Sequence, residues 1–504
     1  MYLLTNEEMR SADEYTITEL GVPSLQLMER AGRALADEAE KLCQRGKALC
    51  VCGGGNNGGD GFVCARILQT RGVETEVLFF AERETPDCTK NREKYLAFGG
   101  KILFDIPTAI QANEYGVVVD CLVGTGLRGG LSGKNAAAVA YINALKDKGA
   151  RVLSADIPSG ISGKNGRAEG PFVLADKTLC IGEVKLGAVL FDGLDASGEI
   201  VRADIGIRLP KTGYAVWVDK TFVKAFLPKR RRNSHKGTYG KAAIVAGSTK
   251  YSGAAILAAT ACARSGAGYV TLFSPQELVK SFYGKQPEIL LKSTNDGGRY
   301  AFNAKTAQDL LGFDSIAYGM GMGESEEVAK GAEYLLAHYE KTLILDADGL
   351  NSLAAYRKEE LPTLLKNAKC DVLLTPHVKE FSRLSGYTVE EIQNSGAELA
   401  KSYARQYGVC VLLKGAASVI TDGADVAVNT AGNSGQAKGG SGDVLSGVIA
   451  GLCAMGACAK NGGIAGSYLT GKAAELAAKE QGEYSMLASD VIAYLGRAFL
   501  DLLA

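Results

Sequence analysis

Short apolar runs alternate with helix-length segments along almost the whole chain. In the first half the runs are KALCVCGG, VETEVLFF, VVVDCLVG, ARVLSADIPSG and KTLCIG. Between them lie segments with helical patterning, such as GFVCARILQTRG and NAAAVAYINALKDKG. This βα alternation predicts an α/β protein, with parallel sheets covered by helices on both faces. The opening stretch TNEEMRSADEYTITELGVPSLQLMERAGRALADEAEKL reads as helix, broken at Gly21-Val22-Pro23. The pattern lapses around residues 205–220 and restarts at KAAIVAGS. Further strands are expected at GYVTLFS, SIAYGMG, TLILDADG, CDVLLTPH and VCVLLKG. A boundary near residue 215 divides the chain into two domains, 1–215 and 216–504, with no short repeat and no low-complexity tract.

Composition narrows the classes. The chain has 504 residues, with 56 Lys+Arg against 56 Asp+Glu. With no net charge, no global field draws it to nucleic acid or to an anionic membrane. Twelve cysteines without a C-x-x-C pair fit buried free thiols in a reducing compartment. The N-terminus carries no signal-peptide pattern and no apolar run reaches ~18 residues, so a cytoplasmic protein without a membrane span is expected. The basic run PKRRRNSHKG (228–237) reads as a solvated loop or as a local attractor for phosphate groups.

Glycine, at 63 residues, is abundant and clusters after the apolar runs. Ligands of open parallel sheets bind beyond the strands' carboxyl ends, so those loops carry the candidate chemistry. The first is GGGNNGGDG. Gly53, Gly55 and Gly58 satisfy G-x-G-x-x-G, and Glu82 follows the next strand roughly where a ribose-binding acid belongs, which is the redox reading. Against it, Asp60 puts a carboxylate where a pyrophosphate would sit, near an expected helix start. Asp60 also suits a helix cap. The second loop is VVVDCLVGTGLRGG, with Asp120 inside an apolar strand and glycines whose backbone N–H groups suit phosphate. The third, ADIPSG, places Asp156 and Ser159 on the same edge. Asn57, Asp120 and Ser159 offer oxygen ligands for a hard cation.

Together these three loops, with LMERAG before them, resemble the NAD(P)HX epimerase domain over residues 1–215. That family has a Rossmann-like three-layer αβα fold and interconverts the R and S hydrates of NADH and NADPH. The resemblance implies substrate contacts at Asn56, Asn57, Gly58, Gly59, Asp60, Gly124, Thr125, Gly126, Leu127, Arg128, Gly129, Gly130 and Asp156. It also implies a potassium ion on Asn57, Asp120 and Ser159. Asp156 is the candidate acid/base group.

In the second half, Gly439-Gly440-Ser441-Gly442-Asp443 precedes a helix with an apolar face. Backbone N–H groups at such a start stabilise a phosphoryl group, and an aspartate there accepts a proton from an attacking hydroxyl. No Walker sequence is present. Asp443 as a simple cap is the alternative. Lys414 to Ser418 follow a strand and suit phosphate or adenosine. His377 stands at a strand end, the other histidines being His235 and His338. Gly319, Gly321, Gly323, Asp346, Asp348 and Asn351 also follow strands and are expected in one crevice, with a helix starting near Gly253.

The stretches SHKGTYGKAAIVAGS, LDADGLN, TPHVKEF, LLKGAAS and GGSGDVLSGVIAG resemble the ADP/ATP-dependent NAD(P)H-hydrate dehydratase domain, a ribokinase-like α/β fold, over residues ~220–504. The resemblance implies substrate contacts at Ala254, Gly321, His377 and Asp443. It implies nucleotide contacts at Lys414, Gly415, Ala416, Ala417, Ser418 and Gly442, with magnesium accompanying ADP or ATP. Where the family often has glycine before the glutamate of the TPH motif, this chain has Lys379. The expected activity is repair of hydrated NAD(P)H: epimerisation in the first domain, then phosphorylation and dehydration of the S form in the second, with ADP ranked above ATP. A homo-oligomer with small-molecule substrates, and no nucleic-acid or membrane partner, is expected. The alternative is a ribokinase-like small-molecule kinase with an accessory Rossmann-like domain. A non-catalytic scaffold and a redox dehydrogenase stand behind it.

Overall fold

A computed structural model describes residues 1–107, 114–127 and 129–504. It divides into two units, Met1–Ala215 and Val216–Ala504.

The first unit holds a sheet of seven strands in the order Lys101–Leu103, Thr75–Phe79, Lys47–Cys52, Tyr115–Cys121, Arg151–Ala155, Lys177–Ile181 and Glu199–Ala203. Every described pairing in it is parallel. The central strands are apolar and fully buried, as strands covered on both faces must be. One face is packed by the helices Ser24–Leu42 and Asn56–Thr70, the other by Gly133–Asp147. The strand order reverses between Lys47–Cys52 and Tyr115–Cys121, the switch point at which an open sheet leaves a crevice.

The loop expected at NNGGDG is helix instead. The helix starts at Asn56 with Gly55 as its N-cap, so Asp60 sits in its second turn and caps nothing. Three of its glycines are there because the helix is pressed against its neighbours. A Cβ at Gly58 would lie 1.8 Å from the Gly53 carbonyl oxygen, one at Gly59 2.6 Å from Met28 Sδ, and one at Gly61 2.5 Å from Cys52 Sγ. Glycine-rich composition signalled a loop, but close packing was the physical cause.

The second unit orders its strands Ile289–Ser293, Tyr269–Ser274, Lys241–Val245, Ser315–Tyr318, Thr342–Leu345, Asp371–Leu374 and Cys410–Leu413, all parallel to their neighbours. Ser418–Thr421 and Val426–Asn429 then continue the sheet antiparallel, a departure from the all-parallel expectation. Their connection, Asp422 to Asp425, is far too short for a crossover helix, so the chain returns as a hairpin. Val216 and Trp217, inside the stretch where the pattern lapses, pair with Ala427 and Val428. The helices Ser252–Arg264, Ser441–Ala454, Ala459–Gln481 and Ala488–Leu503 share one core against this sheet. The strand order reverses between Lys241–Val245 and Ser315–Tyr318.

All twelve cysteines are free thiols, nine of them buried. Among the described residues no helix is long and apolar enough to cross a membrane. The basic run leads straight into the amino end of Lys241–Val245. There Arg230 stacks on the Tyr239 ring at 3.8 Å and donates to the Gly266 carbonyl. It therefore lies at the sheet edge opposite the strands' carboxyl ends, which removes it as a phosphate attractor for that crevice.

Candidate functional sites

At the switch point of the first unit a cavity of about 1210 Å³ opens. Its wall takes Asn56, Asn57 and Asp60 from the helix start, Gly124, Thr125 and Gly126 from the second loop, and Asp156 from the third. Glu82 lines it too. Gly58 and Gly59 face inward to packing, and Leu127, Gly129 and Gly130 are not part of the wall. Arg128 lies outside the described residues.

Asp120 is fully buried, and its carboxylate is held by donors rather than aimed at the cavity. Ser159 donates from Oγ at 2.6 Å and from its backbone N–H at 2.9 Å, Ser154 Oγ donates at 2.8 Å, and the Leu122 N–H at 3.3 Å. Burial raises its pKa, and these donors pull the other way without cancelling the rise. Ser159 Oγ also lies 3.1 Å from the Val123 carbonyl oxygen. Beside them, Asn57 packs against Gly124 with both of its side-chain amide atoms buried and unpartnered. A buried amide in that state costs about 1–3 kcal/mol unless something meets it. The unmet Asn57 oxygen is thus a free ligand atom for a hard cation, while the Asp120 oxygens, already met by four donors, offer such a cation charge more than open lone pairs. Among the described residues no group of three or more His, Cys, Asp or Glu side chains is placed to hold a metal ion.

Asp156 lines the cavity from a strained backbone position. Its φ is +73°, a left-handed conformation that costs a non-glycine residue about 1–3 kcal/mol and is characteristically found at functional positions. Its Oδ1 accepts from the Ile181 N–H at 3.1 Å and pairs with the Lys185 ammonium. Lys185 is 1% exposed, and its Nζ also donates to the carbonyls of Ile181 (2.7 Å) and Glu183 (3.0 Å). Asp60, more than nine-tenths buried, has its pKa driven well up by burial and by the neighbouring charges of Asp156 and Asp13. Asp13 on the helix Asn6–Thr18 is pushed up to about 6, first by burial.

Reading the loops alone misses Asp13 and Lys185. Both leave a trace. Lys185 is the lone charge of the otherwise apolar VKLGAVLF run, and Asp13 falls between Met9 and Ile17 at the four-residue spacing of one helix face.

In the second unit, the expected residues converge beyond the strand ends. Gly321, at φ +63°, comes within reach of Ala254 and Tyr251, and Ser248 Oγ donates to its carbonyl at 2.9 Å. The Gly323 N–H donates to Asp348 at 2.7 Å, and Arg383 to Asn351 at 2.7 Å. His377 caps the helix Val378–Ser385, its Nδ1 accepting from the N–H groups of Lys379 (3.1 Å) and Glu380 (3.2 Å). Lys379 occupies the first helical turn with an exposed side chain, so a lysine in place of the family's glycine meets no steric or backbone objection.

Beneath them lies a buried ionic network. Lys414 Nζ donates to Asp346 Oδ1 at 2.7 Å, with Glu380 3.9 Å away, and Ser446 Oγ donates to Asp346 Oδ2 at 2.7 Å. The Lys414 ammonium is thus committed to the protein. Burial works to lower its pKa, but Asp346 and Glu380 outweigh that and raise it. Ser446 and Glu380 are members of this network that motif reading did not find. Ala347, at φ +47°, is a second strained residue, wedged between Asp346 and Asp348. Gly442 faces Lys414 and Asp346, and a Cβ there would sit 3.6 Å from Lys414 Nζ. The helix Ser441–Ala454 begins from Gly440, whose φ of +97° only glycine adopts freely. Asp443, in the first turn of this helix, has its carboxyl raised to about 7. Burial is the largest cause, Asp346 and Asp348 add to it, and Lys414 opposes. A helix start without a side-chain cap thus stands beside a largely buried carboxyl poised near neutrality.

The chain matches two family models: one described as NAD(P)H-hydrate dehydratase over residues 242–497, the other as YjeF-related protein N-terminus over residues 24–187. It is 35% identical over 522 residues to the bifunctional NAD(P)H-hydrate repair enzyme Nnr of Moorella thermoacetica, covering 98% of this chain and 96% of that enzyme. It is 29% identical over 504 residues to the Escherichia coli enzyme of the same name, covering 97% and 92%. Among solved structures, the Bacillus subtilis ADP/ATP-dependent NAD(P)H-hydrate dehydratase co-crystallised with ATP/Mg2+ is 31% identical, covering 57% of this chain and 99% of that one, with a TM-score of 0.49. Two units, each with its own reversal of strand order and carboxylates buried beyond its strand ends, thus coincide with near full-length similarity to two-function enzymes, and the chain belongs to the family of bifunctional NAD(P)H-hydrate repair enzymes.

Proposed function

We propose that residues 1–215 interconvert the R and S hydrates of NADH and NADPH, and that residues 216–504 dehydrate the S hydrate at the expense of ADP, with ATP as the second-ranked donor. The observation that carries this reading is Asp443. It is a largely buried carboxyl raised to about 7, in the first turn of a helix that opens on Gly440 and Gly442. Among the described residues no hydrogen-bonded side chain or ion pair accounts for keeping it there.

In the second unit, Asp443 takes the proton from the hydroxyl on the hydrated ring as that oxygen attacks the terminal phosphorus of the nucleotide. The backbone N–H groups of the helix start receive the charge of the transferring group. The ring nitrogen lone pair then breaks the C–O bond of the phosphate ester, phosphate departs, and loss of a ring proton to water restores the dihydropyridine. Lys414 to Ser418 flank the nucleotide, with Lys414 keeping Asp346 neutralised beneath it. His377 and Gly321 border the substrate. Magnesium, which the fold family implies, would accompany the nucleotide beside the Lys414–Ser418 turn and would supply neutralisation of phosphate charge there.

In the first unit, Asp156 is the acid/base group, with Asn56 and the Gly124–Gly126 turn bounding the substrate. Asn57, Asp120 and Ser159 would hold a potassium ion, whose charge would compensate buried Asp120 and meet the orphaned Asn57 oxygen.

The test mixes the purified chain with both NADH hydrate epimers and ADP or ATP, following dihydropyridine absorbance and free phosphate. Recovery of both epimers with stoichiometric phosphate release is expected. A stable phosphorylated product without recovery would instead make the second unit a small-molecule kinase.

A further inference from the structure

The helix Asn6–Thr18 brings to the first cavity a carboxyl that the epimerisation just described does not use. Met9, Asp13 and Ile17 recur at intervals of four residues and line the cavity together, so Asp13 is presented to it between two apolar side chains. The charged groups facing it come from three other places. Asp156 ends the strand Arg151–Ala155, Lys185 follows Lys177–Ile181, and Asp60 projects from Asn56–Thr70; Arg10 is the cation on its own helix. Three carboxyls thus share one space with the buried Lys185 ammonium, and Lys185 is committed to Asp156. Burial then pushes Asp13 up to about 6 and Asp60 well above the usual carboxylate range. Carboxyls crowded round one buried cation, one of them able to hold a proton near neutrality, are what acid/base chemistry requires.

Inversion at a ring carbon bearing a hydroxyl, when it proceeds by loss and return of that oxygen, calls for two such groups, because oxygen leaves one face of the ring and arrives on the other. Resting on the epimerase reading of this unit, we propose that Asp13 is the second acid/base residue of the reaction, paired with Asp156. In one direction Asp13 gives its proton to the departing hydroxyl, the C–O bond breaks, the ring nitrogen lone pair forms a C=N bond, and water is released. Water then adds to the opposite face, Asp156 takes its proton, and the electron pair returns to nitrogen. The net result is one proton moved from Asp13 to Asp156, which exchange with bulk water reverses. The opposite direction exchanges the two roles.

The full chain is tested with the pure R hydrate of NADH in 18O-labelled water, against an enzyme-free control. Each epimerised molecule should carry one 18O. Asp13→Asn should lower kcat/KM for epimerisation by about 10²–10³-fold, and Asp13→Glu should restore part of it. Wild-type kcat/KM should fall as pH rises through about 6, as the Asp13 proton is lost, and this limb should be missing in Asp13→Asn. Asp13→Asn at more than a tenth of the wild-type rate, a limb that survives the substitution, or epimerisation without 18O uptake would each overturn the assignment. Should circular dichroism show Asp13→Asn unfolded, the wild-type limb and Asp13→Glu decide: no limb near 6, or no activity in a folded Asp13→Glu, overturns it. A wild-type chain that does not interconvert the hydrates overturns the epimerase reading itself. One that does, and loses the activity with Asp156→Asn but not with Asp13→Asn, overturns only the role given to Asp13.

Discussion

Asp443 carries a cost that follows from its chemistry. Its folded carboxyl titrates near 7 instead of 3.8, so between those values the folded state holds a proton that the unfolded state has released. Stability therefore falls as pH rises across that window and levels off above it. Asp443→Asn should remove this dependence. At pH 8 the variant should unfold later by on the order of 1–2 kcal/mol after solvent screening, and at pH 3 it should match the wild type, as denaturant titrations at both values would read. The same group must be ionised to accept a proton, so kcat/KM for nucleotide-dependent recovery should rise through about pH 7, and Asp443→Asn should lose about 10²–10⁴-fold. Lys414 differs in kind. Lys414→Met would leave Asp346, 1% exposed, with its charge unpaired in the core, and should destabilise the second unit by about 3 kcal/mol in the same titrations.

The helix Asn56–Thr70 shows how an element can be chosen by its neighbours. It lies so close to the strand Lys47–Cys52 and to the helix Ser24–Leu42 that side chains are excluded at Gly58, Gly59 and Gly61. This close approach presents Asn56, Asn57 and Asp60 at the cavity from a rigid helix start rather than from a mobile loop. Gly58→Ala would drive a methyl group into the Gly53 carbonyl and should cost about 1–3 kcal/mol or more, displacing the helix and epimerisation with it. Gly55→Ala, where nothing lies within 4 Å and φ is −82°, should stay within about 0.5 kcal/mol by the same unfolding measurement.

Each unit has its own core and its own reversal of strand order, and the acid/base carboxyls proposed for the two reactions lie in different units. The two activities should therefore separate genetically. With both hydrate epimers and excess ADP, the wild-type chain should restore dihydropyridine absorbance to completion. Asp156→Asn should restore the S fraction quickly and the remainder only at its spontaneous rate of epimerisation. Asp443→Asn should leave the epimers equilibrating with no recovery. Chromatography of the epimers during each time course distinguishes these outcomes.

The two α/β layers and the edges that carry the chemistry were legible from one sequence, because strands buried on both faces read as unbroken apolar runs and ligand loops follow them. Asp156 and the Lys414 turn stood out because each polar residue ends an apolar run, and Asp443 because it opens one directly after Gly-Gly-Ser-Gly. Other features depended on distances the chain cannot display. The antiparallel hairpin at Ser418–Asn429 hid in an apolar pattern that does not encode strand direction, although its Asp-Gly turn hints at it. The NNGGDG helix was hidden because glycine marks both a flexible turn and a tight contact, and the partner that decides between them lies elsewhere in the sequence. Asp13 and Lys185 are ordinary charges on the page. They become part of a site only when folding carries them out of water and sets them against Asp156, some 143 and 29 positions away, since burial and proximity, not residue type, determine what a carboxyl can do.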